Sequence, residues 1–298
     1  MTPSDGPDRA RFRERFFTSQ DGLRLYFRDY GGGGAGGRDR PAVLCLPGLA
    51  RNSKDFHHVA QRLAFERRVV CPDYRGRGRS DYDPNWRNYE ARTYVGDLRH
   101  LLAALNLHRV VVIGTSLGGM LAMALAVAAP QALEGAVIND MGPEVDAAGL
   151  GRIVRYIRGC RPQPDWEAAA RYLRQSMPNL SIETNEDWIK LARNTYRERD
   201  DGLLHPDWDA NLAKPLLRKR EPPPDLWPLF RALRPVPTLA LRGGASDVLS
   251  AETFARMKAE KPDLVQVTLA GVGHPPFLGE PEAVAAIDAF LASLPAES

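Results

Sequence analysis

The sequence predicts an α/β fold in which a mostly parallel sheet carries helices on both faces and a helical cap is inserted. Strand-like and helix-like patterns alternate from Ala42 onward, stop alternating between residues 142 and 235, and alternate again from residue 236. Parallel neighbouring strands need crossover connections, which are usually helices, so this alternation indicates a parallel sheet. We therefore expect residues 1–141 and 236–298 to form one core and residues 142–235 to form the cap.

The first part of the chain has the pattern of a hairpin followed by strand and helix units. Arg11 to Thr18 and Leu23 to Tyr30 flank the turn dipeptide Asp21-Gly22, which is typical of a hairpin. Beyond the hairpin, the hydrophobic pattern predicts a strand, a helix, a strand and a helix, which are Ala42 to Pro47, Asp55 to Phe65, Arg68 to Pro72 and Tyr94 to Leu105.

Residues 110–133 contain no charged side chain, so this segment could be a membrane span or a strand followed by a helix. A span needs roughly 20 apolar residues, and length alone allows it. However, the residues before Gly114 are valine and isoleucine, which favour a strand, whereas those after Gly119 are mostly alanine, leucine and methionine, which favour a helix. Pro130 ends the second part after about three turns, too short for a span. We predict a buried strand, a tight turn and a buried helix, followed by a strand from Gly135 to Asn139.

The segment 142–235 shows helical periodicity but no convincing strand. Amphipathic stretches recur in it, and Thr184 to Asp187 has the form of a capping box that starts a helix. The proline-rich residues 221–224 lead out of the segment. The alternation then resumes with a strand, a helix, a strand and a terminal helix, which are Thr238 to Arg242, Glu252 to Ala259, Leu264 to Ala270, and a stripe of Val284, Ile287, Leu291 and Leu294.

Composition and charge argue against several classes of function. The chain has 40 basic and 37 acidic residues and a net charge of +3, so neither nucleic acid nor a membrane is an expected partner. It has no P-loop, no dinucleotide-binding fingerprint and no paired Cys/His spacing, so we expect neither a metal nor another cofactor. The three cysteines are far apart and are expected to be core thiols. Because the N-terminus carries early acids and no apolar signal core, we expect a cytoplasmic protein.

The turn between the predicted strand and helix is Gly114-Thr115-Ser116-Leu117-Gly118, which fits G-x-S-x-G. A serine on such a turn is lifted above the sheet edge, and the first amides of the following helix favour a developing negative charge beside it. The alternative is an incidental serine in a glycine-rich turn. With this motif in this context, the chain resembles the α/β-hydrolases over nearly its whole length. The resemblance implies a strained backbone at Ser116, tolerated because Gly114 and Gly118 lack side chains.

A serine hydroxyl is a weak nucleophile that needs a base, and the base needs a carboxylate partner. In the family that this chain resembles, the chain order is serine, acid, histidine. His274 lies in the turn after the last predicted strand, where the resemblance places the base. Asp247 follows the penultimate strand and matches the family's acid position, so it is the favoured acid. Asp140, at the end of an earlier strand, is the competitor, because some family members use that position.

The resemblance also implies the groups that would stabilise an oxyanion. They are the backbone amides of Leu117, directly after the nucleophile, and of Leu49, in the loop after the first parallel strand. Arg51, close after that loop, could pair with a substrate carboxylate, and His205, in the insertion, could face the substrate. A surface position is the alternative for both side chains. The loop from Asp73 to Ser80 matches a family loop in which arginines hold neighbouring acids.

Three functions on a small-molecule substrate or ligand follow from the resemblance. The favoured one is hydrolysis of a carboxylic ester, thioester or lactone through an acyl-enzyme on Ser116, without a cofactor. The second is hydrolysis of carbon–carbon bonds in vinylogous diketones with the same triad. The third is a ligand-binding receptor with little turnover. A serine rather than an aspartate at position 116 argues against the family's epoxide hydrolases and dehalogenases.

Overall fold

The computed structural model describes residues 12–31, 40–177, 179–217 and 225–295. Parts of the predicted core and cap lie outside these ranges, and so do residues of three further predictions. They concern the first residue of the opening strand, Arg11, the N-terminal residues on which the expected cytoplasmic location depends, and the proline-rich residues 221–224.

The sheet of the core is mostly parallel, as the sequence predicts. The strands in chain order are β1 (Arg13–Thr18), β2 (Arg24–Tyr30), β3 (Ala42–Leu46), β4 (Val69–Pro72), β5 (Val110–Thr115), β6 (Leu133–Asn139), β7 (Tyr196–Glu198), β8 (Leu204–Pro206), β9 (Thr238–Gly243) and β10 (Val265–Leu269). Eight of them form one sheet with the order β1-β2-β4-β3-β5-β6-β9-β10. The pairs β1–β2 and β2–β4 are antiparallel, and the other pairs of this sheet are parallel.

Helices cover both faces of this sheet. The α-helices of the described residues, including those between β6 and β9, are in chain order α1 (His57–Leu63), α2 (Ala91–Ala104), α3 (Leu117–Ala128), α4 (Ala147–Gly159), α5 (Trp166–Ser176), α6 (Asn185–Thr195), α7 (Trp227–Arg231), α8 (Ala251–Glu260) and α9 (Pro281–Ser293). Along β5, Val110 and Val112 belong to the apolar cluster that includes α2 and α3, whereas Val111 and Ile113 belong to the cluster that includes α1 and α9. A strand that is buried on both faces needs apolar side chains at every position, which explains why this part of the chain is free of charge.

The charge-free segment is a strand, a turn, a helix and the start of the next strand, as predicted. Helix α3 has 12 residues, whereas a bilayer needs roughly 20. Among the described residues, no helix is both long and apolar enough to cross a membrane. The three cysteines are free and buried, as expected of core thiols: Cys45 lies in β3, Cys71 in β4, and Cys160 directly follows α4.

Residues 142–235 lie between β6 and β9 and are called the inserted segment from here on; the part of this segment that the structure describes contains four α-helices and a short hairpin. Helix α6 begins at the predicted cap, because the Thr184 side chain accepts a hydrogen bond from the backbone N–H of Asp187 at 3.1 Å. The expectation that this segment lacks strands is wrong, since β7 pairs with β8 in an antiparallel hairpin. Each of these strands has three residues, too few for an alternating hydrophobic pattern to be recognised.

A buried arginine holds the loop from Asp73 to Ser80, as the resemblance implies. The Arg75 side chain is 1% exposed, and its guanidinium contacts the carboxylates of Asp21, Asp83 and Asp97 at 2.5 to 3.1 Å. The hydrogen bond from Arg75 lowers the pKa of Asp21 to about 2, whereas burial raises the pKa of Asp97. Because a buried charge is tolerated when it is paired and hydrogen-bonded, these arginine and aspartate residues have a structural role.

Candidate active site

Ser116 lies on a strained turn between β5 and α3. Its backbone angles are φ 52° and ψ −114°, in a region that residues with a side chain rarely adopt. Close packing explains the two flanking glycines: a Cβ atom on Gly114 would lie 2.2 Å from the Gly118 carbonyl oxygen, and one on Gly118 would lie 2.0 Å from the Leu46 carbonyl oxygen. The predicted strain at the serine is therefore confirmed.

His274 lies in the loop after β10 and reaches across to Ser116. Its Nε2 atom is 3.0 Å from the Ser116 hydroxyl oxygen, although the two residues are 158 positions apart in the chain. On the other side of the ring, Nδ1 is 2.8 Å from a carboxylate oxygen of Asp140. With Asp140 ionised, Nδ1 carries the ring proton and donates it to the carboxylate, so Nε2 is left to accept the serine proton.

Asp140 directly follows β6 and is completely buried. Besides His274, its carboxylate accepts hydrogen bonds from the backbone N–H of Gly243 at 2.9 Å and from the Ser246 hydroxyl at 2.6 Å. A buried carboxylate is costly unless donors surround it, and here three donors do so. The carboxylate is thus fixed in one orientation, with one oxygen directed at the imidazole.

Asp247, the acid favoured by the sequence, is not brought to His274. Its carboxylate instead forms two hydrogen bonds with the guanidinium of Arg152 in α4, at 2.6 and 2.7 Å. This side chain is 38% exposed, and the hydrogen bond from Arg152 lowers its pKa. Asp247 therefore joins the core to the inserted segment, and the structure places the competitor, Asp140, against the histidine.

The sequence alone does not distinguish the two acids, because both lie at the same edge of the sheet. Asp140 follows β6 and Asp247 lies shortly after β9, and these two strands are parallel neighbours. Which of the two acids contacts His274 depends on the direction of each side chain, and the positions of the strands along the sequence do not give that direction. It also depends on Arg152, which is 95 positions from Asp247 in the chain.

The two predicted oxyanion donors lie on either side of Ser116. Leu117 is the first residue of α3, and Leu49 lies in the turn after β3. A Cβ atom on Gly48 would lie 3.9 Å from the Ser116 Cβ, so this turn passes beside the serine. Within the described residues, neither the Leu49 nor the Leu117 amide donates a hydrogen bond to another protein group. Both N–H groups are therefore candidates for the oxyanion donors that the resemblance implies.

Neighbouring residues orient the Leu49 amide. The Arg51 backbone N–H donates to the Gly48 carbonyl at 3.2 Å, and the N–H of the same planar trans peptide, that of Leu49, points the opposite way. The buried guanidinium of Arg77 donates to the Leu49 carbonyl at 2.8 Å. Sequence reasoning missed this support, although Arg77 lies in the loop that the resemblance marks as arginine-rich.

Arg51 is held within the protein instead of lying at the surface. Its guanidinium forms two hydrogen bonds with Asp55, both at 2.6 Å, and a third with the Thr195 hydroxyl at 2.5 Å. The side chain is 14% exposed, and the charge of Asp55 raises the pKa of Arg51. Through its hydrogen bond with Thr195, Arg51 links the turn beside Ser116 to α6. Because the Asp55 carboxylate neutralises the guanidinium, Arg51 is not an isolated cation facing a substrate.

His205 lies on β8 and forms its hydrogen bond within the same hairpin. Its Nε2 atom is 2.8 Å from a carboxylate oxygen of Asp201. Within the described residues, His205 forms no hydrogen bond with Ser116, His274 or Asp140. The structure therefore does not place this predicted substrate-binding residue in contact with the reactive groups.

The inserted segment contacts the loops on both sides of Ser116. The Asn179 carbonyl accepts a hydrogen bond from the N–H of Gly273, the residue before His274, at 2.5 Å. On the opposite side, the Asn52 side chain donates to the Asn194 carbonyl at 3.0 Å.

Over the ranges that the structure describes, no group of three or more His, Cys, Asp or Glu side chains could hold a metal ion.

The fold and the site together define a class of protein. A strained serine at a strand-to-helix turn, with a histidine and an aspartate from later loops of a mostly parallel sheet, is the arrangement of the α/β-hydrolases. The chain matches the model of the alpha/beta hydrolase family over residues 43–287 and belongs to this family. It is therefore a hydrolase.

Individual relatives are similar over most of the chain. A 3-hydroxybutyrate-oligomer hydrolase of Cupriavidus necator is 35% identical over 82% of this chain and 86% of its own length. A 2-(acetamidomethylene)succinate hydrolase of Mesorhizobium japonicum is 28% identical over 78% of this chain and 81% of its own length. The crystal structure of an alpha/beta hydrolase from Novosphingobium aromaticivorans has a TM-score of 0.88 and 44% identity, and the match covers 95% of this chain and 99% of that one.

Proposed function

We propose that the protein hydrolyses a carboxylic ester through a catalytic triad of Ser116, His274 and Asp140. The observation that carries this proposal is the continuous chain of contacts from the Ser116 hydroxyl to His274 Nε2 at 3.0 Å and from Nδ1 to Asp140 at 2.8 Å. His274 takes the serine proton as the oxygen attacks the carbonyl carbon, and Asp140 stabilises the imidazolium that forms. Asp140 replaces Asp247 as the proposed acid.

The amides of Leu49 and Leu117 form the proposed oxyanion hole. As the carbonyl carbon becomes tetrahedral, its oxygen gains negative charge, which two fixed N–H donors stabilise. The imidazolium then gives its proton to the leaving alcohol, and the alcohol departs from the acyl-enzyme. A water molecule, deprotonated by His274, then attacks the acyl carbon, the bond to the Ser116 oxygen breaks and the carboxylic acid departs. The imidazolium returns its proton to the Ser116 oxygen, which restores the free hydroxyl.

The proposed substrate class is a short ester of a hydroxy acid. This rests on the relative that is a 3-hydroxybutyrate-oligomer hydrolase, because a hydroxy-acid oligomer is joined by carboxylic ester bonds. A thioester or a lactone presents the same electrophilic carbonyl to Ser116, so both remain within the proposal. We further propose that residues 142–235 act as a cap that excludes water and shapes the substrate pocket, which their contacts with Gly273 and Asn52 support.

Hydrolysis of 3-hydroxybutyrate dimers and trimers by the wild type and by Ser116→Ala tests this function. The proposal expects turnover by the wild type and its loss in the variant, with short p-nitrophenyl esters as a second ester substrate. Two other results would contradict it. Turnover of a coloured dienoate with poor ester hydrolysis would indicate carbon–carbon bond hydrolysis, and ligand binding without turnover of either substrate would indicate a receptor.

A further inference from the structure

One buried amide contacts the segments that carry all three proposed triad residues. Asn139 is the last residue of β6, is completely buried and directly precedes Asp140. Its backbone carbonyl accepts a hydrogen bond from the N–H of Ser116 at 2.9 Å. Its side-chain nitrogen donates to the Thr115 hydroxyl at 3.0 Å and to the Pro276 carbonyl at 2.8 Å. Asn139 therefore connects the turn of the serine with the loop of the histidine.

The Asn139 side chain is not explained by stability alone. Its oxygen atom, Oδ1, is buried and has no hydrogen-bond partner within the described residues. A buried polar atom without a partner destabilises the folded state, and an apolar side chain of similar size would remove that cost. An apolar side chain would, however, lack the two hydrogen bonds that the amide nitrogen donates.

The loop of His274 is held from two sides. The inserted segment contacts it before the histidine, where the Gly273 N–H donates to the Asn179 carbonyl. Asn139, at the end of a strand of the central sheet, contacts the loop at Pro276, two residues after the histidine. Because the sheet also positions Ser116 and Asp140, the bond to Pro276 ties the histidine loop to the same rigid element.

We propose that Asn139 is a positioning residue, which keeps His274 within hydrogen-bond distance of Ser116 by fixing the Pro276 carbonyl to the end of β6. The inference rests on the proposed function, because it assigns Asn139 to the same triad. Without the two donated bonds, the histidine loop can move relative to the serine. A displacement of about 1 Å at reacting groups can reduce a rate by about 10²-fold.

The test compares Asn139→Leu and Asn139→Asp with the wild type, using steady-state kinetics, the melting temperature and the rate at which a fluorophosphonate labels Ser116. Both variants lose the two hydrogen bonds that the amide nitrogen donates. Only Asn139→Leu also removes the buried oxygen that has no partner. We expect kcat and the labelling rate to fall by about 10- to 100-fold in both variants, with KM within about twofold of the wild type. Asn139→Leu removes the partnerless oxygen but also leaves the Pro276 carbonyl without this donor, so we expect a lower melting temperature in a protein that still folds.

Thr238→Val is the matched control. Thr238 is also buried in the sheet, its hydroxyl donates to the Val236 carbonyl at 2.8 Å, and it begins β9, whereas the site lies where the strands end. Its replacement should leave kcat and the labelling rate unchanged. An unchanged labelling rate in a folded Asn139→Leu protein overturns the positioning role alone. An equal fall of the labelling rate in Thr238→Val does the same, because it would show that any loss of a buried hydrogen bond in the sheet slows Ser116. If wild-type Ser116 does not react with the fluorophosphonate, the proposed function fails and the inference fails with it.

Discussion

Asp140 lies 2.8 Å from Nδ1 of His274, while the acid favoured by the sequence, Asp247, is bound by Arg152. Replacing Asp140 by asparagine should lower kcat/KM by about 10⁴-fold, because an amide cannot hold the imidazole in the tautomer that accepts the serine proton. Asp247→Asn loses a partly exposed ion pair and should change kcat/KM by less than about tenfold. Ester hydrolysis by the two folded variants checks this prediction. The opposite pattern would return the role of the acid to Asp247.

Gly118, the second residue after the nucleophile, permits the close approach of α3 to β3. In Gly118→Ala, the new methyl group would meet the Leu46 carbonyl oxygen, 2.0 Å from the Cβ position, so the backbone that carries Ser116 must shift. We expect kcat/KM to fall by at least about 10²-fold. Gly96→Ala in α2 is the control, because no atom lies within 4 Å of its Cβ position, and it should stabilise the protein by about 0.5–1 kcal/mol. Wild-type kinetics in Gly118→Ala would contradict the steric account.

The ion pairs of Arg75 are expected to matter for folding rather than for catalysis. Arg75→Leu leaves the buried carboxylates of Asp83 and Asp97 without their cation, and the free energy of unfolding should fall by about 3–5 kcal/mol. Arg92→Leu, at an exposed position of α2, should change it by less than about 0.5 kcal/mol. Urea unfolding measures both values. Equal, small effects of the two variants would show that the Arg75 ion pairs add little to stability.

Acid should weaken one of these ion pairs in a defined pH range. The pKa of Asp21 is lowered from 3.8 to about 2 by Arg75, so the folded state holds this carboxylate ionised more strongly than the unfolded state does. Its contribution to stability is complete above pH 3.8 and is lost as the pH falls towards 2. Because Asp21 is about half exposed, solvent reduces the size of the effect.

Urea midpoints measured between pH 5 and pH 2 test this sign for Asp21→Asn. The variant should be less stable than the wild type at the upper end of this range, and the difference should shrink towards the lower end. Asp200→Asn, at an exposed position outside the Arg75 ion pairs, is the control and should follow the wild type throughout. A difference that grows on acidification would contradict the predicted direction.

The sequence was sufficient to predict the parts of the fold and site that local patterns encode. The change from β-branched residues to alanine and leucine around Ser116 predicts a strand, a turn and a helix, and the glycines predict the tight turn. The loop of His274 follows from its place after the last strand, given the chain order of the family. Local pattern and tertiary structure agree at these positions, so the sequence is informative there.

Other features depend on residues that are distant in the chain. The choice between two acids at neighbouring strand ends is decided by Ser246, Gly243 and Arg152, which no local pattern connects with Asp140 or Asp247. The contact between Arg51 and Thr195 joins residues 144 positions apart. The β7–β8 hairpin has strands that are too short to be recognised by alternation. Side-chain direction and long-range pairing, rather than propensity, determine these features.

Mapping the site of a fluorophosphonate adduct by mass spectrometry tests the central claim most directly. We expect a single adduct on Ser116 in the wild type, formed at least about 10²-fold more slowly in His274→Ala because the general base is lost. An adduct on another residue, or labelling of His274→Ala at the wild-type rate, would contradict the claim that His274 activates Ser116.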